Sequence, residues 1–157
     1  MLIFIFPALL IIILDQLSKF LVASHIDYYE SVPLINGFFN LVHVRNRGMA
    51  FGLMNRPDND IASKILVFAT VAAILFMTFW FYRIRKEDGR LVIGLSLIFG
   101  GAVGNLIDRI RLKEVIDFFD FSIGSYHWPA FNLADSAITI GTLWIIIHIL
   151  FFNGPGR

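Results

Sequence analysis

Three aspartates, Asp117, Asp120 and Asp135, stand among aromatic and aliphatic residues in the stretch EVIDFFDFSIGSYHWPAFNLADS, Glu114 to Ser136. Two carboxylates sharing an apolar site cannot both ionise easily, so one keeps a proton. Such a pair supplies a general base to activate water and a general acid for a leaving amine. Peptide hydrolysis by that route needs neither a metal nor a covalent intermediate. After Asp135 and Ser136 comes the run AITIGTLWIIIHILFF, so the Asp135 carboxylate enters a hydrophobic helix near its start. An ionisable group in that position is costly and marks a functional site by default.

Two candidates compete to partner Asp135. The tetrads Asn105-Leu-Ile-Asp108 and Asn132-Leu-Ala-Asp135 share one pattern, an amide and a carboxylate three apart and on one face if helical. Spacing therefore points to Asp108. Environment points elsewhere, because Arg109 and Arg111 beside Asp108 would hold it ionised and occupied, whereas Asp117 lies in the apolar run Val115-Ile116-Asp117-Phe118-Phe119. Other chemistries lack a pattern. His25, His43, His127 and His148 have no metal-ligand spacing, no G-x-S-x-G occurs, and the absence of cysteine excludes thiolate nucleophiles and cysteine metal sites.

The elements that must position these residues are membrane spans. Of 157 residues, 57% are hydrophobic and 16% charged, below the ~25% charge of a soluble domain. A net charge of +1 and the lack of a dense basic tract exclude nucleic acid as a partner. Four apolar stretches, about residues 2–23, 61–82, 91–107 and 134–152, suit spans of about 20 residues within one unit covering residues 1–157. A cleaved signal peptide at the N-terminus would want a basic n-region, and no Lys or Arg precedes Lys19.

Asp15 and Lys19 lie four apart on one face of the first span and form an expected ion pair beside a polar site. Gly100-x-x-x-Gly104 in the third span is a close-packing spacing. Asp108-Arg109 is expected to end that span as an ion pair, local or to another helix, and Asp117 is expected in the loop that follows. Residues 38–44, FFNLVHV, read as a strand in a small hairpin or sheet. Asn46, beside Gly48, could present its amide to a backbone, although a turn alone would account for it. Tyr126, His127 and Trp128 read as interfacial anchors, and His148 as a packed interfacial residue. The cluster Arg83, Arg85, Lys86 and Arg90 favours a cytoplasmic second loop, with the termini inside and both long loops outside. A proton-coupled carrier using Asp15, Lys19 and Asp135 is the rival reading, but carriers often show internal repeats, and here the only repeat is the N-x-x-D tetrad.

Five stretches occur together in order: Asp15-Gln16-x-x-Lys19, Asn46-x-Gly48-x-Ala50-Phe51, Gly100-Gly101-Ala102-x-Gly104-Asn105-x-x-Asp108-Arg109, Val115-Ile116-Asp117-Phe118 and Phe131-Asn132-Leu133-Ala134-Asp135-Ser136. With them the sequence resembles bacterial lipoprotein signal peptidase (signal peptidase II) over nearly its whole length. The resemblance implies a mainly α, multi-pass protein of the bacterial cytoplasmic (inner) membrane, with four transmembrane helices and a small extracytoplasmic β-sheet around residues 28–55. It implies an aspartyl endopeptidase that removes signal peptides from prolipoproteins by cleaving before a diacylglyceryl-modified cysteine, and that is a target of globomycin. By motif, Asp117 and Asp135 are the catalytic pair, which overrides Asp108. Asn46, Gly48, Asn105, Arg109 and Asn132 line or support the site, and Asp15 and Lys19 match the polar pair of the first helix. No cofactor and no metal is expected. Partners are diacylglyceryl-modified prolipoprotein substrates and membrane lipid, with the chain a monomer. Met49 departs from the small residue usual in the family.

Overall fold

The computed structural model describes residues 1–48, 60–86 and 88–152. Four long helices dominate: α1 (Leu2–His25), α2 (Asp60–Ile84), α3 (Gly89–Leu112) and α4 (Leu133–Phe152). Each carries a window long and apolar enough to cross a membrane. Their outward faces carry large apolar side chains such as Phe6, Phe20, Phe68 and Leu150, which suit lipid rather than water.

The helices differ in how far they are enclosed. In α3, 56% of the apolar window is buried, against 11% in α2. The central helix α3 packs on α1, α2 and α4. Its glycines allow this. A Cβ at Gly100 would lie 2.8 Å from the Ala8 carbonyl oxygen of α1, and one at Gly141 in α4 would lie 2.6 Å from the Gly94 carbonyl oxygen. The Gly100-x-x-x-Gly104 spacing is thus a helix-packing device, as expected. In α1 the buried residues Phe4, Ala8, Asp15, Lys19 and Val22 recur at intervals of three, four or seven, forming one inward stripe.

The two longer connections meet as one antiparallel sheet in the order β1 (Ser31–Ile35), β2 (Phe39–Asn46), β3 (Val115–Ile123) and β4 (Tyr126–His127). The sheet joins the C-terminal ends of α1 and α3 to the N-terminal end of α4, so both connections lie at the same end of the bundle. β2 fulfils the strand expected at residues 38–44. Two expectations need correction. Asp117 lies in β3 rather than in a loop, and α3 continues past Arg109 to Leu112, where Lys113 closes it in a left-handed conformation with φ 62°.

Between β2 and β3 the pairing slips. Leu41 faces Phe119 but Val44 faces Asp117, so three residues of β2 span two of β3. This bulge matters because a one-residue slip exchanges the faces of a strand. It places Val44 and Asn46 on the same face as Asp117, where Asn46 would otherwise point away. On that front face, Phe119, Phe121 and Ile123 follow Asp117 at alternate positions. The back face sets Ile116 and Phe118 against Val22 and Ile26 at the end of α1.

Candidate active site

Asp117 is 3% exposed and is held by amides. Its Oδ1 accepts from Asn132 Nδ2 at 2.7 Å and its Oδ2 from Asn46 Nδ2 at 3.2 Å. The Asn46 amide is itself aimed by the Gly48 N–H, which donates to Asn46 Oδ1 at 2.9 Å. Side-chain oxygens of Asn readily take such local backbone bonds. Arg47 Nε binds Glu114 on the far side of the same turn.

Asp135 sits in the first turn of α4, half-buried. Phe131 fixes that turn: its N–H donates to Phe119 O at 3.1 Å, and its carbonyl accepts from Phe119 N at 2.8 Å. Asn132 then caps the helix. Its Oδ1 accepts from Asp135 N at 2.9 Å, while Asp135 Oδ2 accepts from Asn132 N at 3.3 Å. This reciprocal arrangement is a capping box, with Asp in place of the usual Glu or Gln. The other oxygen, Oδ1, accepts from Asn105 Nδ2 at 2.8 Å. Asn132 Nδ2 also reaches Asn105 Oδ1 at 3.2 Å, so two amides link the two carboxylates.

Behind them lies a different cluster. Lys19, 2% exposed, sets its Nζ 2.9 Å from Asp15 Oδ2, 2.9 Å from Asp108 Oδ2 and 2.9 Å from Asn105 Oδ1. Asp15 Oδ1 accepts from Ala134 N at 2.9 Å, tying α1 to the first turn of α4, where a negative charge is favoured. Asp108 is fully engaged, since Gln16 Nε2 donates to Oδ1 at 3.0 Å and the Ile116 N–H to Oδ2 at 3.3 Å. The base that occupies Asp108 is therefore Lys19 across the bundle rather than the adjacent Arg109.

Asp117 and Asp135 open onto a cavity of about 530 Å³ that Asn46, Gly48, Asn105 and Arg109 also line. Its far wall is Trp128, Pro129, Ala130 and Phe131. Burial, and then the neighbouring Asp135 charge, push the Asp117 carboxyl up to about 7 against the opposing hydrogen bonds of Asn46 and Asn132. The Arg109 guanidinium faces the same carboxylates, and its charge acts on Asp135, Asp117 and Asp108. One partly shielded cation thus overlooks two acids, one of which is inclined to keep a proton.

The structure gathers every expected site residue in one region, with Asp15, Lys19 and Asn132 forming the layer beneath the cavity. Gln16 belongs to the stretch Asp15-Gln16-x-x-Lys19 but had no role assigned from the sequence; it binds Asp108. Trp128 to Phe131 were read in part as membrane anchors and form a wall of the cavity. Asp120 is apart from the pair, on the back of the sheet, bound to Asn40 and His127. His148 is buried and bonded to Asp88 at the opposite end of the bundle. Met49 lies outside the described residues.

A sequence model of the family described as signal peptidase (SPase) II matches residues 7–151. A lipoprotein signal peptidase of Syntrophus aciditrophicus is 44% identical over 150 residues, covering 96% of this chain and 93% of the relative. One of Desulforapulum autotrophicum is 46% identical over 147 residues, covering 93% and 90%. Among solved structures, a bacterial membrane enzyme superposes with a TM-score of 0.81 at 31% identity, covering 98% of this chain and 92% of that one.

Proposed function

Because the chain belongs to the signal peptidase II family, and is thus a membrane aspartic peptidase, we propose that Asp117 and Asp135 are its catalytic pair. The observation that carries this is the contrast in occupancy. Asp117 and Asp135 face one cavity with amides as partners, whereas Asp15 and Asp108 are both ion-paired to Lys19. The family's reaction is removal of signal peptides from lipoproteins. We infer that the chain cleaves before a diacylglyceryl-modified cysteine, at the extracytoplasmic face of the bacterial inner membrane, as a monomer.

The chemistry follows from the two environments. Asp117, the more buried acid, holds the shared proton and donates it toward the oxygen of the scissile carbonyl. Asp135 accepts a proton from water as the water oxygen bonds to the carbonyl carbon. Collapse of the tetrahedral diol breaks the C–N bond: the proton taken by Asp135 passes to the leaving amine, and a diol hydroxyl returns its proton to Asp117. Asn132 and Asn105 keep both carboxyls in place, and each such general acid or base contributes about 10²–10⁴-fold. Arg109 stabilises negative charge that develops above the pair.

A substrate tied to two acyl chains is held at the bilayer surface, and a pair carried by β3 and the first turn of α4, at the sheet end of the bundle, suits that position. Globomycin is an expected inhibitor on family grounds. The test uses purified protein in detergent with a synthetic lipopeptide and no ion gradient. Cleavage before the lipidated cysteine, lost in Asp135→Asn, supports the reading, and the absence of cleavage by the wild type contradicts it.

A further inference from the structure

The front face of the sheet does not end at the aspartates. Beyond Asp117 the alternate residues of β3 lead through Phe119 and Phe121 to Ile123. Phe39 stacks on Phe121 with ring centroids 4.6 Å apart, and Phe131 stacks on Phe121 at 5.9 Å. This aromatic track ends in a second cavity of about 370 Å³ lined by Phe38, Phe121, Ile123, Tyr126, Trp128 and Phe131, with Ser122 the one small polar residue among them. Trp128 and Phe131 also line the catalytic cavity, so the two spaces share a wall.

The groove is built rather than incidental. Its outer edge is the short strand β4, whose Tyr126 pairs with Ile123 and whose His127 pairs with Ser122. On the back face, His127 Nδ1 lies 3.0 Å from both oxygens of the buried Asp120, which also accepts from Asn40 Nδ2 at 2.8 Å. That tie holds the edge in place behind the groove. Trp128 N donates to Phe121 O at 2.8 Å and holds the shared wall. The volume lies within the ~300–1,000 Å³ range of small-ligand sites.

We propose that this groove holds one acyl chain of the lipidated substrate while its peptide lies over Asp117 and Asp135. The inference rests on the proposed peptidase reading. Three features favour an acyl chain over other occupants. The lining is almost wholly apolar and aromatic, with no charged side chain among the described residues to recognise a polar peptide. The rim residues Phe38, Ile123 and Tyr126 are exposed, 46%, 75% and 64%, which leaves the groove open to lipid at the level of the sheet. Continuity with the cavity of the aspartates lets a chain linked to the cysteine enter while the scissile bond stays in place. Transfer of the chain from bilayer to groove exchanges one apolar medium for another, so the gain lies in fixing the position of the cysteine rather than in raw affinity.

The experiment uses the full chain in detergent and a synthetic diacylglyceryl lipopeptide carrying a photoreactive diazirine near the end of one acyl chain. Adducts after illumination are located by mass spectrometry. Expected are adducts within residues 119–131 and on Phe38. With Ile123→Asp they fall, and kcat falls about tenfold while KM stays within about twofold, the pattern of lost positioning rather than lost affinity. Adducts confined to the outer faces of α2 or α4 overturn the proposal and leave the chain in the bilayer. A diazirine on the apolar segment of the peptide that labels the groove, when the acyl label does not, overturns it in favour of the peptide. If the wild type cleaves the lipopeptide and either contrary result appears, only this inference fails. If it does not cleave, the peptidase reading fails first.

Discussion

Four aspartates crowd the junction of the sheet with α1, α3 and α4, and they divide into two pairs by partner. Asp15 and Asp108 share one ammonium, Lys19, and are closed off from the cavity. Asp117 and Asp135 have asparagine amides as side-chain partners and face the cavity. An amide holds a carboxylate by hydrogen bonds alone, whereas the Lys19 ammonium, 2.9 Å from Asp108, holds it by charge as well. The first pair therefore suits a scaffold role, and the second suits the proton exchange proposed for it. Asn105 joins the two, taking a bond from Lys19 and giving one to Asp135.

Removing the cation should break the scaffold pair most severely. Lys19→Ala leaves two buried carboxylates without their counter-charge, a loss on the order of 3–5 kcal/mol. A large fall in thermal stability in detergent is expected, with a smaller fall in turnover by the protein that remains folded. The reverse pattern would place Lys19 in the chemistry.

A milder perturbation reaches the same pair from α3. A Cβ at Gly104 would lie 2.6 Å from Asp15 Oδ2, an atom already fixed by Lys19. Gly104→Ala should cost about 1–3 kcal/mol by overpacking. Differential unfolding in detergent would show it, and wild-type stability would mean that α1 and α3 can separate there without cost.

The proposed catalytic pair should show itself in pH dependence. With the Asp117 carboxyl near 7, kcat/KM is expected to fall on the alkaline side with a midpoint near that value, losing about tenfold per unit beyond it. Stability carries the same sign. A carboxyl raised from 3.8 to about 7 on folding favours the folded state at low pH, and that contribution is lost as pH rises through this window. Asp117→Asn should remove the slope. A rate profile flat to pH 9 would contradict the shared-proton arrangement.

Much of this junction was legible in the sequence. Four apolar runs gave four spans. Asp15 and Lys19, at helical spacing, paired as expected, and the N-x-x-D tetrad starting at Asn132 became a capping box. The matching tetrad starting at Asn105 misled on spacing alone, because it lies inside α3 and its Asp108 is claimed by Lys19 from another helix. That partner is invisible to local reading. β3 was missed as a strand since apolar residues fill both of its faces, leaving no polar alternation to read. The β2 bulge is a property of register between strands, so no pattern within β2 announces that Asn46 will face Asp117.

The central claim is that partner type, rather than the presence of a carboxylate, decides which aspartates do chemistry. Its most direct test compares Asp117→Asn with Asp108→Asn in a prolipoprotein-processing assay, with folding checked by chromatography in detergent. Asp117→Asn should be folded and at least about 10³-fold slower, as befits loss of a general acid, while Asp108→Asn keeps measurable turnover in the protein that folds. A folded, active Asp117→Asn beside a folded, inactive Asp108→Asn would contradict the account and move the catalytic pair to Asp108 and Asp135.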